Sequence, residues 1–161
     1  MPSMVTMQDN IKSRVERALR DLFKNDEYLF EVDVNERSLT HKLAVYLQAY
    51  FPGYDVDCEY NRDDKVPKRL LISKQLIESD DTNAVTVYPD IIIHKRGPSA
   101  DGSNLVVIEA KKRGQPVGSD REKLQAYKQD LRLQYAHAFL IVMPVGQSTR
   151  GLEPAPYIED V

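Results

Sequence analysis

The chain has 161 residues, one cysteine and a formal net charge of −3. This length predicts one domain with a single sizeable core. The acidic balance argues against a protein that coats nucleic acid through bulk positive charge. Cys58 has no partner for an internal disulfide, and no Cys/His zinc spacing occurs, so we expect a reducing, cytoplasmic compartment. We expect no signal peptide and no membrane span, because the first residues and the apolar runs lack those patterns.

The charge is distributed unevenly along the chain. Residues 62–135 carry 14 Lys and Arg against 11 Asp and Glu, whereas both flanking segments are net acidic. Such a bias is as compatible with a solvated surface as with a binding site.

Two amphipathic helices open the chain. Residues 9–24 repeat apolar side chains at helical spacing and predict a packing helix. Asn35 is a suitable N-cap for a second helix, which Pro52-Gly53 ends. Glu36 lies in the first turn of that helix, where the helix dipole alone accounts for a carboxylate. His41 on the same helix is interpreted as a surface or packing residue.

Residues 54–60 alternate apolar and acidic side chains, which predicts a half-buried strand. Its acidic face, Asp55, Asp57 and Glu59, is interpreted as solvated. Residues 61–86 are polar and are interpreted as an insertion between the first two core strands, with room for a short helix or strand. Its first part is basic and would suit a phosphate backbone, although a surface loop is the simpler interpretation.

Two apolar runs, at residues 91–93 and 105–108, are rich in β-branched residues and are separated by a cluster of turn formers. They predict buried neighbouring strands over 87–95 and 104–111. Asp90 opens the first strand, and Glu109 and Lys111 close the second on one shared face. Burying ionised carboxylates at the end of an apolar sheet costs free energy unless they are paired or bind a metal. A hard divalent cation would relieve that cost. A structural ion pair is the alternative.

A third helix is predicted over 119–135, with Ser119 and Glu122 as a capping box. Residues 138–143 form a continuous apolar run and predict a buried strand, parallel to the strand before the helix. The tail, 147–161, is polar with two prolines and is expected to wrap the surface or to be disordered.

Pro89-Asp90, an apolar strand, a loop, a second apolar strand and Glu109-Ala110-Lys111 resemble the PD-(D/E)XK nuclease superfamily. The segment KLQAYKQDL of the third predicted helix is similar to the QLxxYxxxL pattern of a RecB-like branch of this superfamily. Tyr127 and Leu131 match that pattern, and Lys123 stands where the branch has Gln.

The resemblance covers about 35–143 and implies an α/β protein with the restriction-endonuclease-like fold. This is a three-layer α/β/α core in the order α-β-β-β-α-β, with a central mixed sheet and an extra N-terminal helix, in a single nuclease-like domain over 1–161. It also implies a metal-dependent nuclease, most naturally acting on DNA in restriction, repair or defence. The metal would be Mg²⁺ or Mn²⁺, bound by Asp90, Glu109, the carbonyl of Ala110 and Glu36. Lys111 would position or activate the attacking water.

The resemblance and the basic charges give further candidates for substrate binding: Lys123, Tyr127, Lys112, Arg113, Lys68 and Arg69. A homodimer or a larger complex would supply specificity that one small domain lacks. The rival hypothesis is a catalytically silent domain of this fold that binds nucleic acid or a protein partner. A third hypothesis is a nuclease acting on RNA, or a subunit that is active only in a larger defence or repair complex.

Overall fold

A computed structural model describes residues 4–60, 69–71, 84–86, 88–97, 103–130 and 133–161, with the backbone alone at 4–9, 69–71 and 84–86. The chain is a mixed α/β protein. The helices are α1 (Met4–Asn25), α2 (Glu27–Glu31), α3 (Glu36–Tyr50) and α4 (Gly118–Gln129). The strands are β1 (Asp55–Cys58), β2 (Arg69–Leu71), β3 (Ala84–Thr86), β4 (Ile91–His94), β5 (Asn104–Lys112), β6 (His137–Met143) and β7 (Ile158–Asp160). None of the described helices is both long and apolar enough to cross a bilayer.

Five strands form one mixed sheet in the order β1-β4-β5-β6-β7. Strands β5 and β6 are parallel and are joined through α4, as predicted from the sequence, and the other neighbours are antiparallel. Strands β2 and β3 pair separately within the predicted insertion, and the rest of 61–83 lies outside the described residues. β1 and β4 are shorter than the predicted strands 54–60 and 87–95.

The two central strands are buried on both faces, which confirms the prediction from their apolar runs. Ile91, Ile93 and Ile108 belong to the core that α1 and α3 cover. Ile92 and Val107 point to the opposite face and join the core of α4. The alternation of β-strand side chains therefore divides each run between two helical layers.

The start of α3 is confirmed and the limits of α4 are corrected. Asn35 caps α3, since its Oδ1 accepts a 2.8 Å hydrogen bond from the amide of Ser38. The predicted capping box of α4 is wrong, because Val117 precedes the helix and no side chain caps it. The helix also ends at Gln129 and not at residue 135, because Asp130 takes an extended conformation with ψ 121°.

The tail was expected to wrap the surface or to be disordered, and it also holds a short strand that was not predicted. Residues Ala155–Tyr157 form a 3₁₀ turn, and β7 then pairs antiparallel with β6. Ile158 is 6 % exposed and completes the core beneath the edge of the sheet. Three strand residues after two prolines are too few to give a periodic signal.

Candidate active site

The site lies where β5 continues beyond the end of its neighbour. β4 begins at Ile91, opposite Ile108, so the last residues of β5 have no strand partner on that edge among the described residues. Asp90 Oδ2 instead accepts a 2.9 Å hydrogen bond from the amide of Ala110. Glu36 Oε2 accepts a 3.3 Å hydrogen bond from the amide of Lys112. Two carboxylates thus replace the missing strand and are fixed along one edge of β5.

This arrangement also orients the carbonyl of Ala110. In an extended strand the N–H and C=O groups of one residue point to the same edge, because antiparallel partners exchange both bonds. The amide of Ala110 points to Asp90, so the carbonyl oxygen of Ala110 lies on the Asp90 edge.

Glu109 is the most perturbed carboxyl group of the site. Its side chain points to the α4 face, where Val107 is buried, and the residue is 3 % exposed. Its Oε1 has no hydrogen-bond partner among the described residues. Burial, followed by the charge of Asp90 and a hydrogen bond with it, raises the pKa of Glu109 to about 9. Asp90 and Glu109 therefore lie side by side, as predicted from their strands, and Glu109 keeps its proton at neutral pH.

Lys111 lies on the same face and reaches α4. Its Nζ is 3.9 Å from Asp120 Oδ2, and its side chain is 30 % exposed. Asp120 is 2 % exposed, and its Oδ2 lacks a hydrogen-bond partner in the described chain. Burial raises the pKa of Asp120, although Lys111 and then Lys123 oppose that shift.

Sequence reasoning missed Asp120. The signal was present, since Asp120, Leu124 and Tyr127 stand at i, i+4 and i+7, the spacing of a buried helical face. A charged residue on that face is an informative exception to the apolar pattern.

Two further side chains of α4, those of Lys123 and Tyr127, lie near the carboxylates. Lys123 is half-buried, and its charge lowers the pKa of Glu109 against the larger effect of burial. Tyr127 is fully buried, and its hydroxyl has no hydrogen-bond partner in the described part of the chain. Burial and then the charge of Glu109 raise the pKa of Tyr127. Three buried polar side chains without a complete set of partners thus meet between β5 and α4.

A groove of about 630 Å³ lies beside the carboxylates, between the start of α3 and the end of β1. Glu36 and Asp90 line it together. His41, which sequence reasoning left out of the site, lines the same groove. Cys58 also faces it, and burial, Asp57, Glu59 and Asp90 all raise the pKa of its thiol, which makes the thiol a weak nucleophile.

The other basic candidates lie apart from this cluster. Lys112 Nζ is 2.7 Å from Asp33 Oδ1 on the α3 side. Arg113 donates a 3.1 Å hydrogen bond to the carbonyl of Val145. Lys68 is outside the described residues, and Arg69 begins β2 with its side chain undescribed.

The acidic face of β1 is not fully solvated, which corrects the sequence interpretation. Arg96 donates two hydrogen bonds to Asp57, of 2.5 and 2.9 Å. His94 Nε2 lies 2.7 Å from Asp57 Oδ2. Burial alone would raise the pKa of Asp57, but its hydrogen bonds to Arg96 and His94 together lower it. Asp57 is a satisfied ion-pair centre on the edge of the sheet.

Within the described residues, no group of three Asp, Glu, His or Cys side chains is arranged to hold a metal ion. The donors of the site are the carboxylates of Asp90 and Glu109 and the Ala110 carbonyl. These oxygens suit a hard cation such as Mg²⁺, which keeps several waters and binds through one or two carboxylates. The observation that fits such an ion is Glu109 Oε1, which has no hydrogen-bond partner within the described ranges.

Comparisons of the chain with protein-family models, with curated proteins and with solved structures found no match.

Proposed function

We propose that the chain is a metal-dependent nuclease with its active site at Asp90, Glu109 and Lys111. The supporting observation is the pairing of Asp90 with Glu109, whose buried Oε1 lacks a partner in the described chain. Folding alone gains nothing from the burial of Glu109, because a buried carboxyl group without a full set of hydrogen bonds is destabilising. Perturbed carboxyl groups of this kind concentrate at functional sites.

The proposed cofactor is Mg²⁺ or Mn²⁺, held by Asp90, Glu109 and the carbonyl of Ala110. When bound, it would polarise a phosphoryl oxygen and make a coordinated water more acidic. Glu36 is proposed to orient this edge of β5 and to hydrogen-bond water in the adjoining groove.

Lys111 is proposed to orient the attacking water and to stabilise negative charge as it develops on the phosphate. It carries this role because it shares a strand face with Glu109 and remains 30 % exposed at its side chain. Lys123 flanks the same carboxylates from α4 and is proposed to contact the substrate. Tyr127 is fully buried beside them and is proposed to support the site without touching the substrate.

The proposed fold assignment is the restriction-endonuclease-like one, supported by the order α3, β1, β4, β5, α4, β6 around a mixed sheet. By the same resemblance the proposed substrate is DNA, in restriction, repair or defence. A homodimer or larger complex and a cytoplasmic location belong to this proposal.

A catalytically silent domain that binds nucleic acid or protein is the second candidate. One observation favours it: Asp90 and Glu36 already accept hydrogen bonds from backbone amides of β5. Both carboxylates therefore have a structural role that needs no metal.

A cleavage assay separates the two candidates. Plasmid, linear duplex, single-stranded DNA and RNA are incubated with Mg²⁺, Mn²⁺ or EDTA. Wild type is compared with Asp90→Asn, Lys111→Ala and the control variant Lys128→Ala. Lys128 is an exposed lysine of α4 whose Nζ donates a hydrogen bond to the carbonyl of Val161. We expect metal-dependent cleavage by wild type and by Lys128→Ala, and a loss of at least about 100-fold in each site variant.

Cleavage that survives in both site variants would place the activity elsewhere or in a contaminant. Binding of nucleic acid without cleavage, unchanged by metal, would instead support the silent domain.

A further inference from the structure

Asp120 is a buried acid on a helix face that is otherwise apolar. It occupies the first turn of α4, and one and two turns later the same face continues as Leu124 and Tyr127, both fully buried. An apolar residue would continue that face with more stability, since Asp120 Oδ2 has no hydrogen-bond partner in the described chain. The favourable interaction with the helix dipole does not explain why Asp120 is buried, because an exposed carboxylate in the first turn makes the same interaction.

The nearest charge to Asp120 is the ammonium group of Lys111. The 3.9 Å between Lys111 Nζ and Asp120 Oδ2 is an ion pair but is too long for a hydrogen bond. The aspartate is almost fully buried, whereas the lysine side chain is 30 % exposed. The fixed partner is therefore the carboxylate, and the mobile partner is the long lysine side chain, whose rotamers it restricts.

Among the described residues, Asp120 is the ion-pair partner of Lys111. Neighbouring Lys112 is held by Asp33 at 2.7 Å on the opposite face of β5. Without Asp120, the ammonium group of Lys111 would be free to extend along the strand into solvent, where its hydration is most favourable.

We propose that Asp120 is a positioning residue that holds the Lys111 ammonium group over the carboxylate end of β5. Its catalytic consequence rests on the nuclease function proposed above, whereas the placement of Lys111 does not. Asp120 itself touches neither the substrate nor the reacting atoms in this account.

The kinetic test compares Asp120→Asn with Glu122→Gln, an exposed acid two residues further along the same helix. Lys111→Ala and the double variant complete a cycle. We expect Asp120→Asn to lower kcat by about 10- to 100-fold with little change in KM, the usual cost of losing an orienting partner. The double variant should lose no more activity than Lys111→Ala alone, and Glu122→Gln should match wild type.

An Asp120→Asn enzyme as active as Glu122→Gln, or losses that multiply in the double variant, would overturn the proposal. So would a collapse of the melting temperature in both Asp120→Asn and Asp120→Ala, which would make Asp120 a structural residue. We expect both variants to melt at or above the temperature of wild type.

A second readout is independent of activity. Reductive methylation with ¹³C-formaldehyde labels lysines, and the signal missing in Lys111→Ala identifies Lys111 in the NMR spectrum. In Asp120→Asn the chemical shift of this signal should move toward the shifts of exposed lysines, and Lys111 should be methylated faster. In Glu122→Gln the chemical shift should stay where it is in wild type. An unmoved signal would refute the positioning role. If wild type cleaves no substrate but the signal moves, the nuclease proposal fails and the placement of Lys111 by Asp120 stands.

Discussion

Two groups of carboxylates lie on the α4-facing side of the sheet, and they differ in how their charges are satisfied. On the edge, Asp57 receives hydrogen bonds from Arg96 and lies within hydrogen-bond distance of His94. At the centre, Glu109 and Asp120 are buried with oxygens that lack hydrogen-bond partners among the described residues.

The pKa values move in opposite directions for this reason. The partners of Asp57 lower its pKa despite burial, whereas burial and Asp90 raise the pKa of Glu109 to about 9. The comparison teaches that a carboxylate near an apolar sheet is not by itself a sign of function. A satisfied one stabilises the fold, and an unsatisfied one is retained at a cost that a ligand can relieve.

The largest contrast should appear in activity. Glu109→Gln is expected to reduce metal-dependent cleavage by at least about 100-fold, because it removes an anionic ligand while keeping the shape of the side chain. Asp57→Asn should cleave at nearly the wild-type rate. Initial rates under identical metal conditions measure both. Equal losses of activity in the two folded variants would show that the two groups of carboxylates do not differ in function.

Stability should show the reverse order. Asp57→Asn is expected to lower the free energy of unfolding by about 2 kcal/mol, because it weakens charge-assisted hydrogen bonds around a largely buried group. Glu109→Gln should be neutral or stabilising at neutral pH, since it removes a buried ionisable group. Urea denaturation followed by circular dichroism gives both values. A strongly destabilised Glu109→Gln would show that the carboxyl group serves the fold.

The pH dependence sharpens the comparison further. Glu109 binds its proton more tightly in the folded chain, with a pKa of about 9, than in the unfolded chain, where the pKa is about 4.3. Between these two pKa values the folded state binds more protons than the unfolded state. The contribution of Glu109 to the free energy of unfolding therefore falls as pH rises, by up to about 1.4 kcal/mol per pH unit. The pKa of Asp57 is lowered in the folded chain. Its contribution to the free energy of unfolding is therefore present above the pKa of the unfolded chain and is lost as pH falls.

Denaturation in EDTA from pH 5 to pH 9 tests this. The stability advantage of Glu109→Gln over wild type should grow with pH. The deficit of Asp57→Asn should stay constant over this range and shrink only below it, as pH falls through the lowered pKa of Asp57. An advantage of Glu109→Gln that is flat across the range would contradict the protonated state of Glu109.

The smallest expected effect belongs to Tyr127. Its hydroxyl is buried and lacks a partner in the described chain, so Tyr127→Phe should raise stability by about 1 kcal/mol. Thermal melting measures the gain, and Tyr135→Phe, at the adjacent ring 5.7 Å away between centroids, is the matched control. If Tyr127→Phe is stable but cleaves slowly, the hydroxyl contributes to the site, whereas destabilisation would show that it has a structural partner.

The fold was predictable where local signals were strong. The β-branched runs of β4 and β5 gave two buried central strands, and Asn35 with Pro52-Gly53 marked the limits of α3 within a residue. The alternation rule placed Glu109 and Lys111 on one face. Each of these features depends on residues adjacent in the sequence, which is why periodicity reveals them.

The remaining features depend on distant partners. The end of α4 is set by the turn at Asp130 and not by any proline or glycine. The strand at Ile158 forms because the open edge of β6 accepts it. The satisfied state of Asp57 requires Arg96, 39 positions away, and the burial of Asp120 requires β5 beneath it. No local pattern carries that information.

We propose that Asp90 and Glu109 form a cation site that releases a proton when a metal binds. Titration calorimetry with Mn²⁺ at pH 7.5, repeated in buffers of different ionisation enthalpy, measures the affinity and the number of protons released together. We predict binding by wild type with release of about one proton, and loss of both in Glu109→Gln. Absence of binding, or binding that is unchanged in Glu109→Gln and Asp90→Asn, would contradict the account.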